Sequence, residues 1–181
     1  MLCIVCDKGF EIVNLDTLQP STIPNWQDPN WSKLGKTAGS TIAKRAQQAH
    51  ALGIFRIDQN EFMLCYDELG AICEKHGEYS RDVSIEWEGK PDSFVLYHPY
   101  ILAFDPRFIE VRLAATGELI QIIAGNNIKC LTDSVTMNLP SGAGGVETLK
   151  DKNGRSDSLL CSMRDVQTDS YRIFKLVPIK R

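Results

Sequence analysis

Cys3 and Cys6 have the Cys-x-x-Cys spacing of zinc knuckles and thiol redox sites. Both fall in the apolar run LCIVC, and on a strand residues i and i+3 point to opposite faces. A zinc site would also need a second ligand pair, and Cys65 and Cys73 stand eight positions apart, outside motif spacing. The pair therefore reads as strand thiols. Ser141-Gly-Ala-Gly-Gly145 invites comparison with phosphate-binding loops. A P-loop requires GxxxxGK followed by Ser or Thr, and a dinucleotide fold requires GxGxxG opening a helix; neither pattern is present. The three histidines are His50, His76 and His98, and no G-x-S-x-G elbow supports a Ser/His/Asp hydrolase among them. Trp26 and Trp31, in a repeated Pro-Asn-Trp, are the candidate partner contacts, since exposed Trp residues serve as interface hot spots. The competing reading folds them back as plugs over a sheet edge.

The elements that must position these residues are short and repeated. Leu2 to Leu15 (LCIVCDKGFEIVNL), Phe62 to Lys75 (FMLCYDELGAICEK) and Tyr100 to Leu113 (YILAFDPRFIEVRL) each show an apolar strand, an Asp-led turn and a second strand of mixed polarity. Asp7, Asp67 and Asp105 occupy the turns, where Asp is favoured because it bonds its own backbone. A two-strand unit of this kind cannot bury its faces alone, so the repeat implies stacked β-units.

Around the third copy the pattern extends to a four-stranded unit: Ser93 to His98, Tyr100-Phe104, Phe108-Leu113 and Leu119-Ile123, with Ala115-Thr116-Gly117 as a hairpin turn. The unit before it takes Ile54-Ile57, Glu61-Tyr66, Gly70-Glu74 and Val83-Trp87. Ile128-Leu131, Leu159-Arg164 and Tyr171-Leu176 form a last unit one strand short. Met1 leaves no room for a strand before Leu2-Cys6, so the first unit also reads as incomplete. The expected fold is all-β: a partial β-propeller of about four blades, two complete and two incomplete. The whole chain, residues 1–181, reads as one domain. Residues 24–52 read as an insertion, with a Pro/Asn/Gly-rich loop at Pro24 to Gly39. A short helix then covers Ser40 to Leu52 and stops at Gly53. Residues 138–157 read as a flexible loop.

Bulk composition narrows the classes. The hydrophobic fraction of 43% and charged fraction of 24% are those of a soluble globular domain. A net charge of −3 argues against a nucleic-acid surface, which carries a basic stripe. No apolar run is long enough for a membrane helix and no signal peptide opens the chain, so the six cysteines are expected to be reduced core thiols of a cytoplasmic protein.

The ordered segments Ile85-Glu-Trp-Glu-Gly89, Tyr97-His-Pro-Tyr-Ile-Leu-Ala-Phe104, Phe108-Ile-Glu-Val-Arg112, Gly117-Glu-Leu-Ile-Gln121 and Asn127-Ile-Lys-Cys-Leu131 closely resemble the citron homology (CNH) domain. Leu2 to Leu15 and Phe62-Met-Leu-Cys-Tyr-Asp67 fit the same pattern. The likeness covers roughly residues 1 to 135 and is strongest to the fungal type found at the C-terminus of Rho guanine-nucleotide exchange factors. It implies a β-propeller used for protein–protein interaction in signalling by Rho-type small GTPases, with no catalytic residue, metal or cofactor to carry over. Exchange activity in such proteins resides in a helical Dbl-homology domain, which this sequence lacks. The family's domain is about twice this length, so the chain corresponds to its C-terminal portion. Partners are expected among Rho-pathway or cell-cortex proteins, with self-association through open blade edges. Two other readings stand beside this one: a propeller hydrolase or lyase, which needs polar inner strands where this chain has mainly apolar ones, and a truncated product without independent function.

Overall fold

Apolar residues alternate along Phe62, Leu64 and Tyr66, and again along Leu102 and Phe104, and each run forms the middle of an antiparallel sheet. The computed structural model describes residues 2–6, 9–33, 36–37, 40–132 and 159–177. The chain divides into two compact units, Met1–Lys90 with Ala115–Gly117 and Pro91–Ala114 with Glu118–Arg181.

In the first unit, β1 (Leu2–Cys6), β2 (Gly9–Val13) and β3 (Pro20–Ile23) make a three-stranded meander. The β2–β3 turn is held by Asn14, whose Oδ1 accepts the Asp16 N–H at 2.9 Å while Leu18 takes a left-handed φ of 55°. A 3-10 helix (Pro29–Lys33), the short pair β4 (Lys36–Thr37) and β5 (Ser40–Thr41), and helix α1 (Ile42–Ala46) follow. The second sheet runs in the order β6 (Ala51–Arg56), β7 (Glu61–Tyr66), β8 (Leu69–Glu74) and β9 (Tyr79–Glu86). Phe10, Ile12 and Ile23 from the first sheet, Ile42 and Ala46 from α1, and Phe62, Leu64, Tyr66 and Leu69 from the second share one core. Phe10 and Tyr66 meet edge to face at 5.2 Å.

The second unit holds β10 (Ser93–Tyr97), β11 (Tyr100–Asp105), β12 (Phe108–Leu113) and β13 (Leu119–Ala124), again four strands in chain order. Gly117, at φ 73°, supplies the left-handed residue of the expected hairpin between β12 and β13. A three-stranded sheet of β14 (Lys129–Cys130), β15 (Leu159–Asp165) and β16 (Ser170–Leu176) completes it. Its core joins Val95, Leu102, Phe104 and Ile109 to Ile128, Leu159 and Cys161.

Among the described residues, two four-stranded and two three-stranded sheets, beside the short β4–β5 pair, match the expected two complete and two incomplete units. Three local expectations are corrected. The helix predicted over Ser40 to Leu52 is confined to Ile42–Ala46. Ala51 instead pairs with Tyr66, and Gly53 pairs with Cys65 across a bulge rather than stopping a helix. The ladder with β7 outweighs the helix preference of a short Ala-rich run. A third strand, β3, begins at Pro20, a position where proline costs no ladder bond. Trp87 lies one residue beyond β9, which starts at Tyr79 rather than Val83. The 138–157 loop, including Ser141 to Gly145, lies outside the described residues, as does Asp7.

Candidate functional site

The two tryptophans singled out from sequence meet. Trp26 and Trp31 stand 5.1 Å apart, and Trp31 packs edge to face on Tyr79 of β9 at 5.7 Å. The intervening turn is built by Asp28. Its Oδ1 accepts the Asn30 N–H at 2.9 Å and the Asn30 side-chain amide at 2.8 Å, and its Oδ2 accepts the Tyr79 N–H at 3.0 Å. One carboxylate thus shapes the loop and fastens it to the second sheet. A second tie runs from the Asn25 N–H to the Gly77 carbonyl at 2.7 Å.

Burial separates the pair. Trp31 is 1% exposed and belongs to the first unit's core, so its ring is covered by this chain's own side chains. Trp26 lies against that core with part of its surface still open. The plug arrangement therefore describes Trp31, and Trp26 is the member of the pair with surface to offer. Trp87 is a core residue whose indole N–H donates to the Tyr66 carbonyl at 2.9 Å.

Gly77 permits the Asn25 tie. It takes a φ of +87°, and a Cβ there would stand 2.7 Å from Ile23 Cγ2 and 2.8 Å from the Asn25 nitrogen. Gly77→Ala is expected to destabilise the chain by about 1–3 kcal/mol through backbone strain and that backbone clash. Thermal denaturation checks it: an unchanged midpoint would mean that residues 23–25 do not sit against the β8–β9 turn.

The two described Asp residues of the repeat play different parts. Asp105 behaves as expected, its Oδ1 accepting the Arg107 N–H at 2.8 Å, with the Arg107 guanidinium closing over the same carboxylate. Asp67 corrects the expectation. Its Oδ1 accepts the N–H of His50 at 2.9 Å and its own N–H donates to the His50 carbonyl at 3.0 Å, so it clasps a distant backbone, with Lys90 Nζ at 3.4 Å from Oδ2. Asp165 is a copy that sequence reading missed. It ends β15 as Asp105 ends β11, and its Oδ1 accepts the Gln167 N–H at 2.9 Å. That backbone hydrogen bond holds its carboxyl below the usual range. The signal was available as a strand ending in Asp followed by a polar turn.

The candidate chemistry disperses. His50 follows α1, His76 sits in the β8–β9 turn and His98 lies between β10 and β11. Cys65 and Cys73 are buried in the first unit, where burial pushes the Cys65 thiol well up and Cys73 up to about 12. Cys3 and Cys6 are half-buried on β1. Among the described residues no group of three or more His, Cys, Asp or Glu side chains is placed to hold a metal ion. No described helix is long and apolar enough to cross a membrane. In the second unit Glu110, 1% exposed, pairs with the guanidinium of Arg112 two residues along β12.

The fold has close counterparts. It is similar, with a TM-score of 0.70 and 28% identity, to the AfRom2 CNH domain, covering 98% of this chain and 48% of that one. Chain-order antiparallel sheets with this likeness belong to the β-propeller class. The CNH domain model matches residues 1–134. The chain is 36% identical to the Rho1 guanine nucleotide exchange factor 1 of Schizosaccharomyces pombe, over 90% of this chain and 12% of that protein. It is also 36% identical to the RHO1 GDP-GTP exchange protein 2 of Saccharomyces cerevisiae, over 74% of this chain and 9% of that one. The chain belongs to the CNH domain family. It spans only a small part of the length of these exchange factors.

Proposed function

We propose that the chain is a non-catalytic, protein-binding module of a Rho-type small GTPase signalling protein, corresponding to the C-terminal part of a CNH propeller and acting in the cytoplasm. The observation that carries the reading is the family match over residues 1–134, joined to relatives that are themselves named as Rho1 exchange factors. The architecture supports it, because strands that end in tightly held Asp turns make a rigid platform for recognition rather than a reacting centre. Partners are Rho-pathway or cell-cortex proteins, and Trp26 is the contact residue that its partial exposure favours, with Trp31 supporting it from beneath.

The test is capture of purified Rho-type GTPase, in its GDP and GTP-analogue states, and of cortical Rho-pathway proteins by the immobilised chain. Binding that Trp26→Ala weakens about tenfold or more, with the melting temperature unchanged, is the expected result. A folded chain that binds none of them would sink the reading. Self-association forms part of the same proposal. Among the described residues β16 is a sheet edge, and it carries Tyr171 and Ile173, the latter 71% exposed. Ile173→Glu is expected to shift sedimentation toward the monomer; identical profiles for both proteins would remove the edge from consideration.

A further inference from the structure

Cys130 and Cys161 are direct cross-strand partners in the β14–β15 ladder. The neighbouring pair, Leu131 and Leu160, is joined by a backbone hydrogen bond of 2.9 Å. Bonded and non-bonded pairs alternate along an antiparallel ladder, which makes Cys130 and Cys161 a non-bonded pair. In such pairs the Cα atoms approach to about 4.5 Å, within the range that a disulfide spans. The Cys130 S–H donates to the Thr132 carbonyl at 3.2 Å. Among the described residues no other cysteines face each other across a ladder. Cys3 pairs with Ile12, Cys6 with Gly9, Cys65 with Gly70 and Gly53, and Cys73 with Phe62 and Tyr79.

We propose that Cys130 and Cys161 form a peroxide-responsive disulfide, a covalent modification site that locks β14 to β15 and closes the chain from one to the other. Cys130 is partly exposed and Cys161 buried, which sets the order of events. A hydroperoxide transfers its distal oxygen to the Cys130 sulfur, giving a sulfenic acid and releasing the alcohol, or water when hydrogen peroxide is used. The Cys161 sulfur then attacks the Cys130 sulfur, the S–S bond forms and water leaves. Two thiols and one hydroperoxide thus yield one disulfide, one alcohol and one water; the thiols are oxidised and the peroxide is reduced. The hydrogen bond with Cys130 and burial together push the Cys161 thiol well up, so its thiolate is scarce and ring closure accelerates as pH rises. A latch of this kind suits a reducing compartment, where disulfides are transient and sensory rather than structural.

The experiment treats the full chain with hydrogen peroxide, blocks remaining thiols by alkylation and maps tryptic peptides without reductant. The expected product links peptide 130–150 to peptide 156–164, and dithiothreitol abolishes it. The urea midpoint of the oxidised chain should move upward and return on reduction, because the cross-link restricts the unfolded state. Cys161→Ser should abolish the linked species and leave Cys130 trapped as a dimedone-reactive sulfenic acid. Linkage through Cys3, Cys6, Cys65 or Cys73 instead, or over-oxidation of Cys130 with no linked peptide, would overturn the proposal. Mapping of the unsubstituted chain decides the matter even where the serine variant does not fold.

Discussion

Trp31→Ala is expected to lower the unfolding free energy by about 3–5 kcal/mol, the range for truncating a fully buried aromatic side chain. The residue is 1% exposed and joins the inserted segment to the core through Trp26 and Tyr79, so truncation leaves a cavity between the insertion and β9. Among the described residues its indole N–H has no hydrogen-bond partner, so nothing there offsets the desolvation of this buried donor. Trp31→Phe should therefore cost clearly less than Trp31→Ala, keeping an aromatic ring against Tyr79 while removing the unpartnered group. Urea denaturation followed by far-UV circular dichroism reads both. Equal costs for the two variants, or none for alanine, would show that the insertion is not anchored by this ring.

Glu110→Ala should cost about as much, roughly 3–5 kcal/mol, for an electrostatic reason. Glu110 and Arg112 point to the same face of β12, with side chains 2% and 12% exposed, so removing the carboxylate strands a guanidinium away from water. The double replacement Glu110→Leu with Arg112→Met keeps the volume and removes both charges. It is expected to recover much of the loss, since a buried ion pair is often no better than an apolar pair of similar size. A double-mutant cycle isolates the coupling. Additive single effects would mean that the two side chains do not act as a unit.

These residues mark where sequence reading succeeded and where it stopped. The central strands β7 and β11 were legible because EFMLCY and YILAFD are apolar on both faces and bounded by an Asp, leaving little alternative to a buried strand. β3 was not, because PSTI opens on a proline, is exposed at all but its last position, and holds as a strand only by pairing with β2 and burying Ile23. The helix prediction runs too far because Ala51 and Leu52 suit a helix as well as a strand, and only the pairing of Ala51 and Gly53 with β7 decides between the two. Asp67 and Asp105 look alike in sequence, yet one closes its own turn and the other holds His50, a choice made by what lies nearby in space. Trp31 shows the same limit. Its partner Tyr79 and the carboxylate that fastens the loop to Tyr79 are separated by 51 positions, so no local pattern signals its burial.

The family was legible for the opposite reason. Its segments recur in order along the chain, and the matched span of residues 1–134 agrees with the reach of those segments. The site was the part least accessible, because no cluster of reactive residue types at motif spacing marks it in the sequence.

The placement of the indoles has a spectroscopic consequence. Trp26, Trp31 and Trp87 are the chain's three tryptophans, and all lie within Met1–Lys90 of the first unit. Emission excited at the red edge of the absorption band therefore follows that unit alone, while the second unit stays dark. Comparing this emission with a backbone signal turns a routine melt into a test of cooperativity. Coincident curves mean that the two units unfold as one, and an emission curve that runs ahead or lags gives each unit a stability of its own.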